Sequence, residues 1–390
     1  MLKKLTCYFS FVVILITISA CANKGLPENN VRQNISIPIN EQLFSDDGKT
    51  FSIQNDVFTL TLAQQQEIIS AVQKKQAQGY QLHKALEAVL STKLANFTYY
   101  GDTYNAETTM ELNKGNCMSL AVLTTAYAKV LGLKFSYREV NTIPVFEKKN
   151  NLILSSSHVQ TVLYDADFIA DKNTYYFQKP GVIIDYFPNK NNKIGKSFDE
   201  LDFLSMYYRN LAGDALVEND LAQAFILAKK SHDYDKENIE TINLLAVIHR
   251  RAGDEQGAEN IYQAGLQINQ SSLALISNYI MLLRKQQRFE AAEDYQEKLA
   301  QLDDPNPYRW LEQAYTAQMN DKTNAAILYY EKALKRAPYL NQAYIGLYHI
   351  FRDKGQVKKA KFMLKKALEW TYEIDQRKQY EHKLFSLAQL

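Results

Sequence analysis

WLEQAYTAQMNDKTNAAILYYEKALKRAP, residues 310–338, carries small residues at Ala314, Ala326 and Ala333, aromatics at Trp310 and Tyr330, then Leu334 and a closing Pro338. Small side chains let paired helices approach closely, and the tyrosine and leucine fill the gaps between them. Alanines recur along the chain at 224, 258, 291, 326 and 360, with steps of 34, 33, 35 and 34 residues. A period of this length marks one helical supersecondary unit per repeat, each burying its apolar face on the next. Five units exceed the three or so that such a stack needs to be stable. From about Met206 to the C-terminus no strand pattern interrupts them.

The unit at 310–338 resembles the tetratricopeptide-repeat consensus at Trp310, Ala314, Ala326, Tyr330, Ala333, Leu334 and Pro338. A second unit resembles it at Leu347, Gly355, Ala360, Ala367 and Leu368. The resemblance implies an all-α solenoid over 204–390 whose concave side binds a protein or peptide. The departures are Lys298, where a small residue is usual, and the mostly polar tail after Trp370, which reads as a cap.

Residues 51–203 follow a different plan. Leu60, Leu62, Ile68, Ile69 and Val72 suggest one helix, and Leu82, Leu86, Val89, Leu90 and Leu94 a second. A helical lead-in from Ala106 to Leu112 delivers Gly-Asn-Cys at 115–117. The following helix is apolar on nearly all sides, from Leu120 to Val130, and is expected to be buried. Beyond Gly132 the period becomes two. FSYREV (135–140), HVQTVLY (158–164) and GVIIDYF (181–187) read as strands separated by loops rich in Asn, Lys and Ser. The region is therefore α+β, with helices first and a small antiparallel sheet after.

Cys117 is the one cysteine expected to remain a free thiol. Gly115-Asn116 sets it at a helix N-terminus, where unpaired amides favour negative charge and could hold an oxyanion. Of the six histidines only His83 and His158 lie in the α+β region, and His158 starts a strand. Asp185 stands within an apolar strand, where a carboxylate calls for a partner. Asp165, Asp167 and Asp171 are rivals in the hairpin loop YDADFIADKN and read as solvated.

Cysteine, histidine and aspartate in this order and context resemble the transglutaminase-like superfamily of papain-like thiol enzymes, over residues 90 to 190. The resemblance implies an α+β transglutaminase-like domain over 51–203, with Cys117 as nucleophile, His158 as base and then acid, and Asp185 as orienter of the imidazole. The hairpin between His158 and Asp185 is longer than that pattern leads one to expect. Attack of the thiolate on an amide carbonyl would give a thioester acyl-enzyme, which water resolves as a protease or amidase and an amine as a cross-linker. No cofactor is implied. Some periplasmic relatives of the superfamily bind calcium, but the three loop aspartates lack the glycine and terminal glutamate of a calcium loop. The rival readings are a non-catalytic periplasmic binding scaffold and, behind it, a cell-wall amide hydrolase.

Residues 1–20 have the layout of a secretory signal, with Lys3 and Lys4 ahead of an apolar run. Ile18-Ser19-Ala20-Cys21 resembles the bacterial lipobox, which implies lipidation of Cys21 and a tether over 21–50. Ala22 in place of Asp favours sorting to the outer membrane, facing the periplasm. Loss of Lys3 and Lys4 would leave 43 of the 45 basic residues against 43 acidic ones, a balance that suggests no nucleic-acid partner. No sequence feature specifies an oligomeric state.

Overall fold

The computed structural model describes residues 36–44, 56–99, 101–149, 152–169, 174, 179–186, 193–300, 302, 306–371 and 374–388. Within these, residues 141–149, 152–158, 193, 194, 300, 374 and 388 are described by backbone alone. The signal over 1–20, the lipidation site Cys21, most of the tether and Asp171 lie outside the described residues, as does the His158 side chain. No helix among the described residues is long and apolar enough to cross a membrane.

The first half of the chain builds α1 (Leu62–Gln76), α2 (Leu82–Leu94), β1 (Thr98–Tyr99), α3 (Ala106–Leu112), β2 (Lys114–Gly115) and α4 (Cys117–Val130). β3 (Phe135–Lys149), β4 (Leu152–Tyr164), β5 (Gly181–Asp185) and β6 (Lys193–Phe198) follow, and α5 (Glu200–Val217) leads into the repeats. The four long strands form one antiparallel sheet in the order β5-β4-β3-β6, and β1 pairs in parallel with β2. Every residue of α4 from Met118 to Ala128 is buried, as its all-round apolar pattern requires. Tyr137 of β3 bonds Thr125 of α4 at 2.7 Å and stacks on Phe203 of α5 at 4.2 Å, which ties the sheet to both helices.

Two features differ from the sequence reading. The stretches 141–149 and 152–157 extend the β3–β4 hairpin instead of forming a loop, and KIGKSF is a strand without apolar alternation. Backbone pairing against β3 selects β6, and such pairing carries no side-chain period.

From α5 onward the chain is a stack of helical hairpins, a tetratricopeptide-type solenoid. The first helix of each pair is α5, α7 (Ile239–Arg251), α9 (Leu273–Lys285), α11 (Pro307–Met319) or α13 (Asn341–Asp353). The second is α6 (Leu221–Tyr234), α8 (Glu255–Ile268), α10 (Phe289–Ala300), α12 (Thr323–Arg336) or α14 (Val357–Glu369). The second helices all begin 34 residues apart, as do the first helices from α7 to α13. Side-chain caps recur at the starts, with Asp220, Asn238, Asp254, Ser272 and Asn306 each accepting a first-turn N–H. Tyr380 and Leu384 of α15 (Ile374–Ala388) pack on the core of the last hairpins, so the polar tail does cap the array.

The structure corrects the repeat register. Ala292, not Ala291, is the buried alanine of the third unit, at 2% exposure, so the buried alanines 224, 258, 292, 326 and 360 are evenly spaced. One residue turns a helix by about 100°, enough to carry a side chain off the contact face. The same shift moves the departure from Lys298 to Leu299, which stands where the other units have Gly265, Ala333 and Ala367. Leu299 fills that position and is buried, while Lys298 lies over the ring of Tyr295.

Candidate functional site

The candidate site gathers where α4 begins. α3 ends at Asn113 in the left-handed region (φ 48°), and the next two residues run as β2 beside Thr98 and Tyr99. Gly115 has φ 147°, and a Cβ there would stand 2.6 Å from Cβ of Ser119, so glycine is needed for both conformation and space. Asn116 caps α4 by accepting the Ser119 N–H at 3.0 Å, and its own amide donates to Thr103 at 2.7 Å. Cys117 is thus the first residue of the helix and is half-buried.

Burial pushes the Cys117 thiol up, and the N–H groups of Met118 and of Cys117 itself pull it back only in part. The loss of water outweighs what those two N–H groups return. By itself Cys117 rests as a thiol.

The register of the sheet positions the other two residues. Gln160 of β4 lies opposite Asp185, the last residue of β5, and its side-chain amide donates to the Asp185 carboxylate at 2.7 Å. β4 pairs with β3 without interruption from Leu163 back to His158, so position 158 falls on the same side of the sheet as 160 and 185. A diagonal spacing of this kind is about 7–8 Å between backbones, within reach of long side chains.

Tyr99 links this sheet end to the thiol. Its hydroxyl donates to the Tyr186 carbonyl at 2.7 Å, and its phenol is pushed up by burial and then by the charges of Cys117 and Asp185. Burial, with Cys117 adding to it, pushes the Tyr186 phenol up, and its hydroxyl bonds Thr161 at 2.9 Å. Tyr99 thus feels the charges of both Cys117 and Asp185, whereas Tyr186 lies with Thr161 on the face of the sheet that packs on α4.

Sequence reasoning missed Tyr99 and Gln160. The period of two in His158-Val159-Gln160 carried the signal for Gln160, whereas Tyr99 is brought in by a two-residue strand too short to read. The other histidine of this region, His83, is buried on α2 with Nδ1 3.6 Å from Asp165. Asp165 is seven residues along from 158, about 20 Å at strand rise, so that pair belongs to the far end of β4. Asp165 also accepts the Asp167 N–H at 3.0 Å, a local turn. Among the described residues no cluster of three or more His, Cys, Asp or Glu has the arrangement of a metal site.

No family model matches the chain, and no curated protein matches it. Solved structures that resemble it include a Pseudomonas aeruginosa pilF protein, at 17% identity over 48% of this chain and 86% of that one, with a TM-score of 0.36. PilW, described as a widely conserved type IV pilus biogenesis factor, is 20% identical over 48% of this chain and 91% of its own, with a TM-score of 0.30. YrrB, a tetratricopeptide-repeat protein with an unusual peptide-binding site, is 15% identical over 46% and 92%, with a TM-score of 0.28.

Proposed function

We propose that this chain is a binding protein that holds a protein or peptide partner along its helical repeats. Met281 of α9 and Tyr315 of α11 carry the proposal. They stand one period apart on the first helices of successive hairpins and expose 53% and 44% of their surface. Two exposed apolar side chains one period apart mark a strip that a partner segment can follow. The test is a photoreactive residue at position 315 in cells. A discrete protein adduct, weakened by Met281→Asp, is expected; background labelling alone would refute the reading.

A second reading, thiol acyl transfer at Cys117, is favoured by the place of Cys117 at the N-terminus of a buried helix and by Tyr99, whose phenol feels both Cys117 and Asp185. In this reading the His158 imidazole takes the thiol proton and returns it to the leaving amine, and Asp185, held by Gln160, orients the ring. The first two amides of α4 stabilise the oxyanion. The cross-linking variant uses an amine in place of water, and no cofactor takes part. Because burial raises the isolated thiol, labelling of Cys117 by iodoacetamide at pH 6 requires a base. Fast labelling at pH 6, lost in His158→Ala, is expected; a rate that appears only above pH 9 and ignores His158→Ala leaves the binding reading alone.

The proposal keeps Cys21 as a lipid anchor in the outer membrane, with both parts facing the periplasm. Metabolic labelling with palmitate, absent from Cys21→Ser, tests it.

A further inference from the structure

Residues 37–44 lie on the solenoid, about two hundred positions ahead of the residues they touch. They end in the 3-10 turn Glu41–Phe44. The Phe44 ring stacks on Phe225 of α6 at 4.1 Å and meets the edge of His249 of α7 at 5.2 Å. The Asn40 backbone N–H donates to Nε2 of His249 at 3.2 Å. On the other side of that ring, Nδ1 is 2.8 Å from the Leu245 carbonyl. A carbonyl only accepts, so Nδ1 carries the proton and Nε2 offers a lone pair. The Asn40 side chain reaches Asp254 at 3.5 Å, Glu41 pairs with Lys229 at 3.3 Å, and Ile37 is buried.

The repeat itself shows why this surface is special. One period on, Phe225, His249 and Asp254 become Glu259, Leu283 and Arg288. There Arg288 grips both oxygens of Glu259, at 2.7 and 2.8 Å, and the array closes that position with its own side chains. Phe225 and Asp254 cannot pair in that way. The chain's N-terminal strap covers them instead, and His249 puts a hydrogen-bond acceptor where the next repeat has a buried leucine.

We propose that Phe225, Lys229, His249 and Asp254 form a second peptide-recognition site, and that residues 37–44 are its intramolecular ligand. The site takes a segment that closes in a 3-10 turn and offers a backbone N–H, an acidic side chain beside it and an aromatic ring three residues further on. A partner segment of that chemistry binds by displacing the strap. The inference rests on the reading that the solenoid binds peptides, at a place separate from the Met281–Tyr315 row.

The strap rejoins the described fold at Asp56, across residues 45–55. A linker that short gives an effective concentration in the millimolar range, about 1 mM. A free copy that binds at about 100 µM then meets roughly tenfold competition.

The test is a fluorescent peptide, SIPINEQLF (residues 36–44), titrated into the full chain. Binding to Phe44→Ala at least tenfold tighter than to the wild type is expected. Glu41→Lys, which leaves every packed side chain in place, should shift affinity in the same direction by a smaller factor. His249→Leu in the Phe44→Ala background, a change the next repeat already accommodates at Leu283, should weaken the peptide at least threefold. The peptide ending in Ala should not bind. Equal affinity for wild type and Phe44→Ala, or binding that ignores both His249→Leu and the loss of the peptide's phenylalanine, overturns the proposal. Failure here with the adduct at position 315 intact would remove the strap site alone; loss of that adduct would remove the partner reading itself.

Discussion

Gly346→Ala sets two effects of similar size against each other. Gly346 lies inside α13, where alanine is favoured over glycine by about 1 kcal/mol. A Cβ at 346, however, would stand 2.5 Å from both Cε1 and the hydroxyl of Tyr330, and closer still to Cζ. The Tyr330 ring is fully buried, lies edge-on to Tyr315 at 5.8 Å and donates to Gln318 at 2.7 Å. The ring is closed off from solvent and held at its edge and its hydroxyl. Overpacking of this kind costs about 2 kcal/mol, and losing the Gln318 bond adds about 1 kcal/mol. Against the propensity gain, the net loss is about 2 kcal/mol. Urea unfolding followed by tryptophan emission reads this directly, because Trp310 and Trp370 are the only two tryptophans and flank the site. With a slope of about 2 kcal/mol per molar, the midpoint should fall by about 1 M. Tyr330→Leu in the same background should recover part of the loss relative to Tyr330→Leu alone. A Gly346→Ala protein as stable as the wild type, or more so, would show that the hairpin contact is looser than drawn and would refute the reasoning.

Ala292→Leu should cost about 1–3 kcal/mol by overpacking, and Ala291→Leu much less, since only Ala292 is fully enclosed; paired thermal melts decide the register. His232 is buried with Nδ1 lacking a hydrogen-bond partner, and burial, with Lys236 adding to it, lowers its pKa to about 4. Neutral in the fold and at its ordinary 6.5 when unfolded, it contributes stability that is whole above pH 6.5 and lost as pH falls toward about 4. After solvent screening that loss is about 1–2 kcal/mol. Stability of His232→Leu measured across this window should fall less steeply than that of the wild type, and parallel curves would refute the assignment. Arg288→Ala leaves Glu259 at the α8–α9 junction with Tyr279 and Gln263 as its remaining side-chain donors, and should lower stability by about 2 kcal/mol, most visibly in hydrogen exchange of those two helices.

The solenoid was legible in the sequence because its information is local and repeated. Each hairpin buries the same small residues against its neighbour, so Ala224, Ala258, Ala326 and Ala360 announce the period and the two-helix unit without reference to anything distant. Of the adjacent alanines 291 and 292, only Ala292 keeps the exact 34-residue spacing from Ala258 and to Ala326, and the packed helix turns that one inward. At the thiol site, Gly115 and Asn116 foretold the start of α4, because φ and capping are properties of a few consecutive residues. The state of the thiol was not foretold. It depends on how much water the surrounding elements exclude, which outweighs the helix N-terminus visible in the sequence. The union of Asp185 with Gln160, the approach of Tyr99 to Cys117 and the strap on Phe225 and His249 join segments far apart in the chain. Contacts of this kind are fixed by strand register and by what remains uncovered once the helices have stacked. Those are properties of the assembled surface, and no window of sequence contains them.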